Sequence, residues 1–180
     1  MDKSMLPSLN NFGIDAPGYI RKIDRLKHWD PENFDNLKSR AKVASERVFK
    51  PNSRNLHSLW YVETAEQFYG MVSVLSAGRT PRNQNIDFLW IDAEELDSTS
   101  IKPEPVPEGQ CLFVSSLHFN AYIDPIASEN LCLIMMQAGR KAQRCKEKKH
   151  TKLILEYQTE RGCKATETSK ENCDCEVVSL

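Results

Sequence analysis

Residues 59–91, LWYVETAEQFYGMVSVLSAGRTPRNQNIDFLWI, predict a strand, a helix and a second strand in succession. The first four residues are large and apolar or aromatic, a composition that suits a pleated strand better than a helix. Thr64 and Gln67 then form the reciprocal capping pair of a helix start. We therefore predict a helix over residues 64–77 that connects two parallel strands, the second at residues 86–91. Its buried stripe comprises Phe68, Met71, Val72 and Leu75.

The same order of elements recurs in the second half of the chain. Residues 111–114 predict a strand that continues toward Phe119, and residues 153–157 predict another. Between them, apolar residues at helical spacing predict a helix capped by Ser128. Two β-α-β units in sequence predict an α+β fold with a ferredoxin-like βαββαβ sheet, occupying residues 56–158.

Residues 1–55 are predicted to form an irregular arm and two helices that pack on this core. The spacing of Tyr19 and Ile23 indicates a helix that begins near residue 17. Asp30 as a cap and Pro31 in the first turn indicate a second helix, which ends before residue 51. Residues 159–180 lose the apolar content of a core, so we predict a disordered tail that contains cysteines.

Composition favours an intracellular protein. The chain has 180 residues and a net charge of −1, and its first residues lack the apolar run of a signal peptide. No stretch approaches the roughly 18 apolar residues of a membrane span. These features predict a cytoplasmic or nuclear location and reduced cysteines.

Charge is unevenly distributed along the chain. Residues 140–152 hold seven basic residues and one acid, whereas residues 87–108 hold seven acids and one base. This pattern predicts a charge-segregated surface whose basic end contacts nucleic acid or another polyanion. The alternative is that the cations complement the C-terminal end of a helix. The candidate contacts are Arg140, Lys141, Arg144, Lys146, Lys148, Lys149 and Lys152.

Aromatic residues on the predicted strands are candidates for stacking on bases. Trp60, Trp90 and Phe113 would do so if they lay on an open face of the sheet, as in RNA-recognition modules. The predicted third strand lacks the basic, glycine and aromatic signature of those modules, which favours core packing instead.

The tail offers a weak metal-site candidate in Cys163, Cys173 and Cys175. Their spacing lacks the paired Cys-x-x-Cys ligands of structural zinc sites, which favours exposed thiols, and no cofactor is predicted. In the same tail, Val178 and Leu180 would suit a groove that accepts alternate apolar side chains at a chain end.

The segment from Asn55 to Tyr69 resembles the strand-to-helix passage of cap-binding translation initiation factors. The resemblance covers these residues alone. It therefore implies no site residue elsewhere in the chain.

Three functional hypotheses follow from these features. Because no catalytic motif occurs, the leading one is a non-enzymatic binding or adaptor module with a protein partner. The first alternative is RNA or DNA binding through residues 140–152 and the sheet aromatics. The second alternative is a small enzyme whose site is assembled from residues far apart in the sequence.

Overall fold

A computed structural model describes residues 7–15, 17–30, 36–50, 53–77, 85–107 and 111–146. Short 3-10 turns at Leu9–Phe12 and Leu26–His28 accompany the helices and strands. No helix in these ranges is long and apolar enough to cross a lipid bilayer. In chain order the elements are β1 (Gly18–Ile23), α1 (Leu37–Val48), β2 (Leu56–Val62), α2 (Ala65–Ala77), β3 (Ile86–Asp92), α3 (Ala93–Asp97), β4 (Pro103–Pro105), α4 (Leu112–Ser115), β5 (His118–Tyr122), α5 (Pro125–Gln137) and β6 (Gln143–Cys145).

The six strands form one sheet in the order β4-β5-β2-β1-β3-β6, and all neighbouring strands are antiparallel. The predicted α+β class is confirmed. Because β2 and β3 both run antiparallel to β1, they are parallel to each other, and α2 connects them across β1. The predicted strand-helix-strand unit is therefore present, with a third strand inserted between its two strands.

Local hydrogen bonds explain why α2 was predictable. The Gln67 amide donates to Thr64 Oγ1 at 3.2 Å, and Gln67 Oε1 accepts from the Thr64 amide at 3.1 Å. Gln67 Oε1 also accepts from the Glu63 amide at 2.7 Å. These contacts satisfy amides that the helix geometry leaves without a partner.

The structure does not have the predicted ferredoxin-like topology or the predicted pair of N-terminal helices. The strand order differs, and the first predicted helix is instead β1, which lies in the middle of the sheet. Tyr19 and Ile23 match helical spacing, but β1 also carries Arg21 and Lys22, so it lacks a simple apolar alternation. Helices cover both faces of the sheet, so side chains on either side of β1 can be buried. The strand therefore lacks the alternation of apolar and polar residues by which a strand is recognised in a sequence.

Three further boundaries differ from the sequence prediction. Residues 111–114 lie at a bridge and the short helix α4, and the strand forms afterwards as β5. The stretch from Asp97 to Gln110, whose three prolines predict an extended loop between the two halves of the core, contains β4, which pairs with β5 at the edge of the sheet. Helix α5 begins at Pro125 and is capped by Asp124, whose carboxylate accepts from the amides of residues 126 and 127, rather than by Ser128. The predicted strand at 153–157 and the tail at 159–180 lie outside the described residues.

The second N-terminal helix forms, but it starts later than predicted. Asn36 is the cap of α1, and its Oδ1 accepts from the Ser39 amide at 2.9 Å. Asp30, the predicted cap, instead forms an ion pair with Arg40.

Two hydrophobic clusters pack on opposite faces of the sheet. On one face, α2, α4 and the turn at Leu9–Phe12 cover residues such as Ile20, Val62 and Phe88. On the other face, α1, α3 and α5 cover Leu59 and Leu89. The fold is therefore a three-layer arrangement with helices on both sides of an antiparallel sheet.

Gly18 allows the ring of Trp90 to lie directly over β1. A Cβ atom at position 18 would lie 2.4 Å from Trp90 Cζ2 and 2.7 Å from the carbonyl oxygen of Ile91. Trp90 is 2% exposed and packs within the core cluster on the α2 face, so a shift of its ring would disturb that packing. Only glycine at position 18 is compatible with this contact.

We predict that Gly18→Ala lowers the free energy of unfolding by about 3 kcal/mol, because overpacking must displace Trp90 or β3. Gly139→Ala is the matched control. Gly139 has a φ of 73° and no atom within 4 Å of an added Cβ, so only backbone strain of about 1 kcal/mol is expected there. Urea unfolding of both variants gives the comparison, and equal losses would contradict the proposed clash.

Candidate functional site

Arg140, the first residue of the basic run, is held by three carboxylates. Its Nε donates to Glu95 Oε1 at 2.7 Å, and its terminal nitrogens lie 3.6 Å from Asp92 and 3.4 Å from Asp15. Burial disfavours the charged guanidinium, yet the hydrogen bond to Glu95 and the carboxylate charges raise the pKa of Arg140 above its ordinary value. The charge of Arg140 is therefore balanced within the fold.

Arg144 is also bound to an acid of residues 87–108. Its Nε and one terminal nitrogen donate to the two oxygens of Asp87 at 2.6 and 2.7 Å. This bidentate bond raises the pKa of Arg144. Asp87 is 5% exposed and also accepts from the Leu26 amide at 3.1 Å. The basic run and the acidic stretch thus meet at β3 and partly neutralise each other.

The remaining cations of the run differ in position. Lys141 and Lys146 are exposed. Lys148, Lys149 and Lys152 lie outside the described residues. Among the described residues, the structure brings Arg140 and Lys141 together at one pocket and places Lys146 away from the residues that line it.

The stacking candidates lie mainly within the core. Trp90 and Phe113 are 2% and 1% exposed, and both belong to the cluster on the α2 face of the sheet. Trp60 is half-buried against the same cluster, with its ring centroid 5.5 Å from that of His118. Buried rings cannot receive a base between them, so Trp90 and Phe113 act in packing.

The cysteine candidates Cys163, Cys173 and Cys175 lie outside the described residues. Within the part of the chain that the structure describes, no group of three His, Cys, Asp or Glu side chains could hold a metal ion. Cys111, Cys132 and Cys145 are buried, and burial raises the pKa of Cys145 to about 12.

His57 lies inside the molecule beside Arg21 and Phe49. Its ring centroid is 5.6 Å from that of Phe49, and its Nε2 is buried without a hydrogen-bond partner among the described residues. Burial, assisted by the positive charge of Arg21, lowers the pKa of His57 to about 4 from 6.5. A neutral imidazole enclosed in this way serves packing rather than proton transfer to a bound substrate.

Arg21 fixes this region by joining three elements. Its guanidinium donates to the carbonyl oxygen of Val48, the last residue of α1, and to that of Ser58 in β2. Burial lowers the pKa of Arg21 to about 10. The side chain therefore satisfies a helix-end carbonyl and ties β1 to α1 and β2.

A pocket of about 550 Å³ opens where the start of α1 meets the end of α5. Trp29 is one of its lining residues: it is 2% exposed, and its Nε1 donates to the Arg140 carbonyl at 2.9 Å. The lining residues are Leu26, Lys27, Trp29, Asp30, Leu37, Arg40, Met136, Gly139, Arg140, Lys141 and Ala142.

The pocket combines apolar residues with basic groups. We call the apolar part of the lining its floor, which comprises Leu26, Leu37, Met136 and Ala142. Four cations and one carboxylate line it. Arg40 pairs with Asp30, and Arg140 is bound to acids outside the lining, which leaves Lys27 and Lys141. Both lysines are exposed, and neither has a carboxylate within ion-pair distance in the described ranges. The pocket thus presents apolar surface and two lysine charges that no carboxylate of the described residues pairs with.

Sequence reasoning found only part of this pocket. Arg140 and Lys141 were candidates because of their charge, whereas Lys27, Trp29 and Arg40 carried no motif. Their proximity to residues 139–142 results from the packing of α1 on α5, which lie far apart in the sequence. A local spacing rule could not have revealed it.

No model of a known protein family, no curated protein and no solved structure matches this chain. The resemblance of residues 55–69 to cap-binding factors therefore gains no support from these comparisons. Function has to be inferred from the geometry of the site itself.

We predict that Asp87→Asn lowers the free energy of unfolding by about 2 kcal/mol, because the buried carboxylate loses its charge-assisted hydrogen bonds while Arg144, which is 37% exposed, stays solvated. Asp30→Asn is the control, since that side chain is 71% exposed and its ion pair should contribute less than about 1 kcal/mol. Chemical unfolding at neutral pH measures both losses. Similar small losses would show that the Arg144 contact contributes little.

We also predict that stability falls as the pH drops from about 6.5 toward 4. In this window the unfolded chain protonates His57 while the folded chain keeps it neutral, so acid favours unfolding by up to about 3 kcal/mol. Urea unfolding at pH 7 and at pH 4.5 tests this, with His57→Gln as the comparison. A variant with the same pH-dependent loss as the wild type would exclude His57 as the cause.

Proposed function

We propose that this protein is a non-enzymatic binding module whose basic pocket takes an acidic, apolar segment of a protein partner. The observation that carries the proposal is the combination of an apolar floor with Lys27 and Lys141, whose charges no described carboxylate balances. Apolar side chains of a partner would cover the floor, while its carboxylates would pair with the two lysines.

The shape of the pocket supports a peptide segment as ligand. At about 550 Å³ it has room for a few side chains. The floor contains Leu37, which is 37% exposed, and the half-buried Met136. An exposed leucine and a flexible methionine offer contact surface to apolar partner groups.

Nucleic-acid binding draws less support from the same geometry. Phosphate contacts need several available cations, and Arg140 and Arg144 are bound to carboxylates of the fold. An enzyme draws less support as well, because His57 is enclosed and the described pocket lining contains no histidine, cysteine or serine.

The test is binding of a fluorescein-labelled decapeptide of alternating aspartate and leucine, followed by fluorescence anisotropy. Replacement of both pocket lysines, K27E/K141E, should weaken binding at least about tenfold, because two attractive charges become repulsive. The affinity of the wild type should also decrease with added salt.

K102E/K146E is the matched control, since it makes the same change in net charge as K27E/K141E at two exposed lysines that do not line the pocket. We expect it to leave peptide affinity within about twofold of the wild type. Equal losses for K102E/K146E and K27E/K141E would indicate a general charge effect, and no binding to the wild type would overturn the proposal. A single-stranded RNA of equal charge tests the nucleic-acid alternative, which would be favoured if RNA bound more tightly than the peptide.

A further inference from the structure

Residues 171–180 of this chain, ENCDCEVVSL, have the chemistry that the pocket favours. The segment carries Glu171, Asp174 and Glu176 and contains no lysine or arginine. Its apolar residues follow directly, at Val177, Val178 and Leu180. The segment lies outside the described residues.

The chain leads from the pocket to this segment. Residues 139–142 line the pocket, and β6 follows immediately and ends at Cys145. Residues 147–170 then separate the described part of the chain from the acidic segment. Twenty-four residues can extend up to about 80 Å, whereas a globular chain of this length has a radius of gyration near 16 Å, a rough estimate from chain length. The connection is long enough for the segment to reach the pocket.

Charge complementarity favours this segment over other parts of the connection. Residues 147–170 contain six Lys and Arg residues and four acids. In residues 171–180, by contrast, the charged side chains are all acidic. Repulsion from Lys27 and Lys141 therefore disfavours the intervening residues in the pocket, and attraction favours the last ten.

We propose that residues 171–180 bind in the basic pocket of their own chain and compete there with an outside ligand. The inference rests on the proposed function, since it assigns an internal competitor to the same pocket. Carboxylates of the segment pair with Lys27 and Lys141, and Val177, Val178 and Leu180 cover the apolar floor. A tethered segment has an effective concentration on the order of 1 mM, so even a weak contact would keep the pocket largely filled.

The experiment compares full-length variants in the decapeptide assay described above. The first, E171Q/D174N/E176Q, removes the three acids of the segment. The second, V177S/V178S/L180S, removes its apolar contacts. Both should bind the decapeptide about fivefold more tightly than the wild type, because they weaken the internal competitor.

The control is E156Q/E160Q/E167Q, which makes the same change in net charge within the intervening residues. It should bind the decapeptide with the affinity of the wild type. Adding K27E/K141E to either segment variant should abolish the gain. Urea unfolding of all variants verifies that they are folded.

The outcomes separate this inference from the proposed function. If the wild type binds the decapeptide and neither segment variant binds it more tightly, the competitor is absent and the proposed function stands. If the control gains affinity equally, a general charge effect replaces the inference. If the gain depends on protein concentration, the segment acts on a second copy, which also overturns binding within one chain. If no variant binds the decapeptide, the proposed function itself fails.

Discussion

The buried carboxylate of Asp87 connects the charge pattern of this chain to its fold. It accepts two hydrogen bonds from Arg144 of β6 and one from the Leu26 amide, so one side chain joins β3, β6 and the connection between β1 and α1. Leu26 is also part of the pocket wall. The interaction that completes the edge of the sheet therefore also positions one side of the candidate site.

The arginines and lysines of the basic run have different roles because their side chains bind differently. Arg140 and Arg144 form directional, partly buried contacts with carboxylates, for which a planar guanidinium is suited. Lys141 extends into solvent beside the pocket. Counting charges along the sequence therefore overestimates the charge available to a partner, since the acids and bases that pair in the fold are far apart in the chain.

The sequence predicted the parts of the fold that local contacts determine. Helix α2 was predictable because Thr64 and Gln67 cap it through their own side chains. Strand β1 was missed because helices cover both faces of the sheet, so Arg21 could be buried by tertiary contacts that no local pattern reveals. The pocket depends on the packing of α1 on α5, so the sequence supplied only Arg140 and Lys141 as candidates. Local sequence patterns predict a capped helix. They do not predict a central strand or a pocket between helices that are far apart in the sequence.

Within the described residues, both edge strands of the sheet are short. At one edge, β4 has three residues and two of them are proline, which has no amide hydrogen to donate. At the other edge, β6 also has three residues. These two edge strands offer few backbone groups to a strand of a neighbouring molecule, a feature that disfavours edge-to-edge pairing with them.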